Sequence, residues 1–440
     1  MIKKILVLIL CGLFLFGTVA CSDSGGESSG KESAGSGTTS VKEREKNYDY
    51  NINDYTEYVF SAGAITGPDS PNYDKNNLVG GTDLGFPVYD DTRDRMYFVF
   101  GDTFSGYPDN HFMSGSWRSN VVAYVDDWEH ETFTTDRKFT GWITDNNGYA
   151  VSVIPGLYRS NDSRTEVTKI PTGGICIDGT LYLFYMSVRY WGAGGSWDVN
   201  YNGAVKSADG GKTWERVFDL TWVETDKGVY ADQIKTLSQQ TLEFAASGVD
   251  LDMSKRVNPN FMQISPSDGK DGYIYLFGSQ GGRNGGMEMA RVRKENFEDF
   301  ESYEYFIGYD STSNPKWAAG SAGMKQLNYD LATSKTLVIQ TQVGETTVFF
   351  NPYLEKWILS DNYMNEVYIA MSKNIYGPYS RKFALLDTTY DYGTDGKSFY
   401  ELYAGFSHEK LLKNDGKTMY MVISYMDRIY NSQLLEVEFA

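Results

Sequence analysis

The sequence predicts an all-β protein, a five-bladed β-propeller, on three observations. Aromatic residues make up 15% of the 440 positions, with 34 Tyr, and Gly occurs 45 times, a composition of strands and frequent turns. A loose unit of several short strands recurs five times after Tyr48. No convincing long helix interrupts it; Asp232–Ala246, rich in Gln, Leu, Lys and Glu, is the one helical candidate and reads as an insertion between the second and third blades.

In chain order, residues 1–21 have the plan of an export signal. Lys3 and Lys4 form a charged start, Ile5–Phe16 an apolar core, and Thr18-Val19-Ala20-Cys21 the end. This resembles a bacterial lipobox, in which the Cys is lipidated and becomes the first mature residue, although Thr18 replaces the usual Leu. The apolar run falls short of the ~20 residues that a spanning helix needs. Residues 22–46 are rich in Ser, Gly, Glu and Lys and hold no aromatic residue up to Lys46, so they read as a flexible tether. The expectation is a lipid-anchored protein on the extracytoplasmic face of the cell membrane, touching the membrane only through Cys21. Residues 47–440 are then the propeller.

The five copies begin near Gly85, Gly174, Phe261, Gly323 and Gly405. Their strongly apolar second strands are read at Met96–Phe100, Leu181–Ser187, Tyr273–Gly278, Thr336–Thr341 and Thr418–Ser424. Third strands follow at Val121–Val125, Gly203–Ser207, Met287–Val292, Val367–Ser372 and Leu434–Phe439. A ring of blades needs the chain ends to meet, so Tyr58–Ile65 is expected to pair near Leu434–Phe439.

The net charge of −18 argues against nucleic acid, whose phosphates demand Lys and Arg. With Cys11 and Cys21 in the leader, Cys176 is the only thiol of the body, which leaves no intrachain disulfide. The three His (His111, His130 and His408) are scattered, and no Cys/His zinc cluster can be assembled. No cofactor or metal is expected, and the body is expected to be a monomer.

The chemistry-bearing stretch is Leu78–Val125. Its apolar runs Leu84–Tyr89 and Met96–Phe100 flank a turn at Asp90–Asp94, a strand–turn–strand pattern. Asp83 is placed just before the first strand and Asp102 just after the second, so the antiparallel hairpin brings them to one rim. Either Asp alone is an ordinary turn-former. Together, beside Trp117, Arg118 and Asn120, they have the makings of a glycosidase pair: one carboxylic acid to protonate the leaving oxygen, one carboxylate to activate water or attack. Asp83, nearer the axis, is assigned as base or nucleophile and Asp102 as acid. The same two rim positions in other blades yield Arg189, Tyr190, Trp191, Asn260, Gln280, Arg283, Asn284, Trp317, Gln342, Glu401, Tyr403 and Asp427 as candidate contacts for sugar hydroxyls and ring faces. Glu401 is the best third carboxylate.

Ser207–Trp214 matches the Asp-box Ser-x-Asp-Gly-Gly-x-Thr-Trp, a propeller signal whose Asp ties a turn between outer strands. Asp268-Gly269-Lys270-Asp271-Gly272 lacks the EF-hand pattern and reads as a hairpin turn.

Gly81-Thr82-Asp83-Leu84-Gly85, Phe100-Gly101-Asp102-Thr103-Phe104 and Trp117-Arg118-Ser119-Asn120, in that order, resemble a bacterial propeller family long described only as a domain of unknown function. Met287–Val292 with Tyr303–Phe306, and the Gly377-Pro378 ending, extend the similarity over roughly residues 60–440. Some members are endo-D-arabinanases that cut α-linked D-arabinofuranose chains. The resemblance implies a five-bladed propeller, a furanose polysaccharide substrate and the paired acids Asp83 and Asp102; analogy with other five-bladed furanosidases favours inversion. Two other readings stand beside this one: a propeller glycosidase for L-arabinan, xylan or a sialoside, and a non-catalytic glycan-binding surface lipoprotein. A sialidase is disfavoured because its Arg triad and early Arg-Ile-Pro motif are not evident.

Overall fold

Met96–Phe100 is apolar at every position, and the packing shows why: all five side chains are at most 1% exposed. Met96, Phe98 and Phe100 belong to an apolar layer with Val422 and Leu434, whereas Tyr97 and Val99 belong to another with Leu181 and Leu183. The strand is buried on both faces, so alternate residues serve neighbouring blades and the polar half of the usual period-two pattern disappears. Ile358 and its neighbours Trp357 and Leu359 divide between two layers in the same way.

The computed structural model describes residues 56–440 apart from 75, 107–113, 164, 193–195, 226–250, 364, 388–401 and 427–429. Cys21, the leader, the tether and the helical candidate Asp232–Ala246 lie outside the described residues. The rest forms five antiparallel sheets arranged as blades. Blade 1 runs outward through Gly81–Asp90, Arg95–Gly106, Val121–Asp126 and Gly141–Trp142, with Ser114–Arg118 added beside its second strand. Blade 2 comprises Thr168–Ile177, Thr180–Trp191, Trp197–Ser207 and Glu215–Val223. Blade 3 has five strands: Gln263–Asp268, Tyr273–Ser279, Glu288–Arg293, Glu304–Tyr309 and Pro315–Ala319. Blade 4 is Thr346–Asn351, Lys356–Tyr363, Glu366–Ser372 and Phe383–Asp387. Blade 5 is Leu402–Phe406, Thr418–Met426 and Tyr430–Phe439, completed by Thr56–Ala64 from the other end of the chain.

Closure occurs where the sequence places it. Tyr58 pairs with Glu438, Val59 with Val437 and Gly63 with Leu434. Inner strands of successive blades touch in the order 1-2-3-4-5-1, which makes the all-β five-bladed propeller a closed ring. Thr172 reinforces one seam, its Oγ1 lying 3.1 Å from Ile264 O and 3.2 Å from Ile264 N.

Blade 4 departs from the expected register. Thr336–Thr341 is not its second strand; Lys356–Tyr363 is, paired with the inner strand Thr346–Asn351. Leu337 and Ile339 are buried as a strand's would be, but the segment makes only a local bridge, with Met287 N–H donating to Ile339 O and Val338 N–H to Met287 O. Burial without a ladder gives the same apolar pattern. Gly323, the expected start of this copy, lies in the short helix Gly320–Met324. A second short helix, His130–Asp136, carries Phe133 onto Phe98, with ring centroids 4.9 Å apart.

The Ser207–Trp214 turn joins the third and outer strands of blade 2. Asp209 accepts from the Lys212 and Thr213 amides at 3.0 and 2.9 Å and from the Thr213 hydroxyl at 2.6 Å, while Trp214 Nε1 donates to Gly211 O. The Asp268–Gly272 turn is likewise a hairpin loop, in which Asp268 accepts from Lys270 N–H and Asp271 from the Tyr275 hydroxyl.

Candidate active site

Asp83 and Asp102 lie inside their strands, not at the flanks that the sequence assigns them. The hairpin pairs Thr82 with Thr103 and Leu84 with Phe100, and the shift between these pairs is a bulge around Asp83. Leu84 sits there at φ 61°, a left-handed conformation costly for a branched residue. Blade 5 holds it in place: Leu84 N–H donates to Ser424 Oγ at 2.8 Å, and Ser432 Oγ donates to Leu84 O at 3.0 Å. Gly85, at φ 101°, is required by the same kink, since a Cβ there would lie 2.9 Å from the Phe100 ring. The bulge brings the Asp83 carboxyl over Gly101, where a Cβ would come within 2.4 Å of Oδ1. The glycine between Phe100 and Asp102 is therefore the space into which Asp83 fits.

Blade 5 repeats the device. Its inner strand has a register shift after Tyr403, with Ala404 at φ 61° followed by Gly405. Tyr403 is thus the counterpart of Asp83, and its hydroxyl donates to Asp83 Oδ2 at 2.9 Å. Tyr430, opening the third strand of the same blade, adds a second phenol beside that carboxyl. From blade 3, Arg283 holds Glu345 by two bonds, Nε to Oε2 at 3.1 Å and Nη2 to Oε1 at 2.9 Å; Glu345 immediately precedes the inner strand of blade 4. The Arg283 guanidinium lies 5.4 Å from the Tyr403 ring centre and 5.2 Å from that of Trp197. Asp102 Oδ1 accepts from Trp117 Nε1 at 3.0 Å and from Thr168 Oγ1 at 3.4 Å; Thr168 opens the inner strand of blade 2. Blades 1, 2, 4 and 5 thus contribute the beginnings of their inner strands, and blade 3 the turn Gly281–Arg283 after its second strand, to one end of the axis.

The two acids differ in their electrostatics. Burial pushes the Asp102 carboxyl up, and the Asp83 charge pushes it further, to about 8, against the Trp117 and Thr168 bonds. Burial also raises Asp83, but the Tyr430 and Tyr403 hydroxyls oppose it; Glu345 adds a smaller upward push and Arg283 a smaller downward one, leaving it at about 6. Both carboxyls are raised, and the phenol donors on Asp83 favour its ionisation over that of Asp102. The arrangement can therefore deliver a proton from one side chain and accept one at the other.

Of the other residues singled out by sequence, Trp117, Arg283 and Tyr403 are gathered here. Trp191 packs edge-on against Trp197, 5.6 Å between centroids, and Arg189 is engaged by Asp198 at 2.9 Å. Gln280 and Asn260 flank Gly285 beside the Arg283 loop; Asn260 is fully buried with neither amide atom hydrogen-bonded. Arg118 is not free for ligand: its guanidinium donates to Ala150 O and Leu78 O and staples two loops. Asn120 is fully buried, with its amide bonded to Ile154 O and accepting from Val153 and Ile154 N–H. Trp317 belongs to the outermost strand of blade 3, away from the axis, where it packs on Arg291 and Phe306. Gln342 ends no strand, because blade 4 begins later; its carbonyl accepts from Lys382. Glu401 and Asp427 lie outside the described residues. Glu345, Tyr430 and Thr168 were not anticipated. Glu345 satisfies the inner-strand rule once Thr346–Asn351 is recognised as that strand. Among the described residues, no three His, Cys, Asp or Glu side chains are grouped to hold a metal ion.

Fold and site together define a class: a five-bladed β-propeller with a buried acidic pair at one end of its axis. Within that class the chain belongs to the family described as Domain of unknown function (DUF4185), whose sequence profile matches residues 69–436. A comparison with curated proteins finds no match. Among solved structures, the chain is similar to a candidate hydrolase of Bacteroides ovatus ATCC 8483, with 12% identity and a TM-score of 0.50 over 82% of this chain and 86% of that one. It is also similar to the α-L-arabinofuranosidase PaAbf62A of Podospora anserina (12% identity, TM-score 0.40, 88% and 97% covered). A GH43_1 enzyme of Xanthomonas citri, solved with xylotriose, follows at 12% identity and TM-score 0.41, with 84% and 89% covered. At such identities the likeness is one of fold.

Proposed function

We propose that the protein is a glycoside hydrolase that cleaves within a furanose polysaccharide, D-arabinan foremost, with Asp102 as general acid and Asp83 as general base. The observation that carries this reading is the buried Asp83–Asp102 pair, whose surroundings keep one carboxyl protonated and the other ionised near pH 7. Asp102 gives its proton to the glycosidic oxygen as the bond to the anomeric carbon breaks. Asp83 removes a proton from the water that attacks that carbon, so the pair ends with its proton exchanged between partners and solvent restores it. Trp117 fixes the acid through Oδ1, and Tyr403 fixes the base through Oδ2. The choice of D-arabinan rests on the motif resemblance at Gly81–Gly85, Phe100–Phe104 and Trp117–Asn120. A lipid on Cys21 would hold the enzyme on the outer face of the membrane, within reach of envelope polysaccharide.

The test is incubation of the protein with D-arabinan, L-arabinan and xylan, following released oligosaccharides. Asp102→Asn is expected to lose about 10²–10⁴-fold on polymer, the usual worth of a general acid, and to lose much less on substrates whose leaving groups need no protonation. Equal losses on both substrate types would remove Asp102 as the acid. Retention of glycan binding with no cleavage of any polymer by the unaltered protein would instead make it a binding module.

A further inference from the structure

The Arg283–Glu345 pair is more elaborate than a surface ion pair. It is bidentate, and its side chains are only 24% and 10% exposed. Arg283 is held between two aromatic neighbours, Trp197 of blade 2 and Tyr403 of blade 5. Glu345 is tied down in turn: its own N–H donates to Asn362 Oδ1 at 3.0 Å. Three blades thus converge on one guanidinium, and the ring it lies against carries the hydroxyl bonded to Asp83. A planar cation held by two carboxylate oxygens has little freedom to rotate, so it fixes the ring plane against which it rests.

We propose that Arg283 and Glu345 are positioning residues for the base: the ion pair, laid against the Tyr403 ring, orients the hydroxyl that holds Asp83 Oδ2 and governs the ionisation of that carboxyl. The proposal rests on the reading of Asp83 as the general base and deepens it. The groups facing Asp83 come from every element around it: Asp102 of its own blade, Tyr403 and Tyr430 of blade 5, Arg283 of blade 3 and Glu345 of blade 4. Behind Glu345 lies Asp361, fully buried, paired with Lys382 Nζ at 3.1 Å and pushed up in part by the Glu345 charge, so a row of charged groups runs from the axis into blade 4. In that row the two members of the pair act on Asp83 with opposite sign. The Arg283 charge favours the carboxylate, and the Glu345 charge disfavours it.

The opposite signs supply the test. The Asp83 carboxyl is titrated by ¹³C NMR in the full chain labelled at Asp, its signal identified by its loss in Asp83→Asn. Glu345→Gln is expected to lower the Asp83 midpoint and Arg283→Met to raise it, each by up to about one pH unit, these two charges being the smaller influences on that carboxyl. Arg283→Lys keeps the charge but loses the fork by which Glu345 holds the cation over the Tyr403 ring. It is expected to leave the midpoint nearly in place while lowering kcat on D-arabinan about tenfold with little change in KM. Arg283→Lys also serves if Arg283→Met fails to fold. Midpoints that move in the same direction or not at all, or an Arg283→Lys variant with unaltered kcat, overturn the proposal. The titration needs no substrate. Opposite shifts in a protein that cleaves no polymer would therefore leave the positioning role standing and sink only the hydrolase reading.

Discussion

Asp83→Asn should make the protein both inactive and more stable, with the second effect dependent on pH. The native carboxyl ionises at about 6, whereas its ordinary value is 3.8. Below pH 4 it is protonated in folded and unfolded chains alike, and the site exacts no penalty. Between about 4 and 6 the native state holds a proton that the unfolded chain has released, so stability falls as pH rises; above 6 the penalty is complete. A difference of about 2 pH units at 1.36 kcal/mol each makes that penalty about 3 kcal/mol. An amide removes it and also relieves Asp102 of its neighbour's charge, although the Tyr403 bond to a neutral acceptor is weaker by about 1 kcal/mol, leaving a net gain of at least about 2 kcal/mol at pH 8. With roughly 0.8 kcal/mol per degree for an unfolding unit of this size, Tm should rise by about 2–3 °C at pH 8 and stay level or fall slightly at pH 4. Turnover on D-arabinan should drop by about 10²–10⁴-fold, since an amide accepts no proton from water. Thermal melts of both proteins at pH 4, 6 and 8, beside product release, check the two halves separately. An Asp83→Asn protein that is less stable at pH 8, or whose stability difference ignores pH, would refute the buried-carboxylate argument. One that still turns over at a near-native rate would refute the base.

Three further outcomes are expected, two from the geometry and one from the sequence. The pH profile of kcat/KM should be a bell with limbs near 6 and 8: activity rises as Asp83 loses its proton and falls as Asp102 loses its own, and a profile flat from pH 5 to 9 contradicts the assignment. Asp209→Ala removes the acceptor of the Lys212 and Thr213 amides and should cost about 1 kcal/mol by denaturant unfolding while kcat stays within twofold; a stable but inactive variant would move the Asp-box into the active site. Cys21→Ser should shift the protein from the membrane to the soluble fraction on cell fractionation, and unchanged membrane association would end the lipoprotein assignment.

How much was legible from sequence differs between the ring and its site. The apolar runs Met96–Phe100, Leu181–Ser187, Tyr273–Gly278 and Thr418–Ser424 mark second strands because a blade between two others must be apolar on both faces, and that requirement is written locally. The meeting of Asp83 and Asp102 across one hairpin was readable because short-range antiparallel pairing converts spacing directly into proximity, whereas closure at Leu434–Phe439 was readable because a ring leaves the two ends of the chain only each other to pair with. Thr336–Thr341 misled because burial against blade 3 produces an apolar run without a ladder. The supporting shell of the acids was decided only by the tertiary structure. Asp83, Arg283, Glu345 and Tyr403 lie on four blades, and no local pattern records which blade follows which around the axis or how each is rotated. Arg118, Asn120 and Trp317 have the side chains of a sugar site, yet two are consumed by backbone groups and the third sits on an outer edge. A guanidinium or an amide is drawn alike by a buried carbonyl and by a ligand hydroxyl, and only its place in the ring decides which it meets.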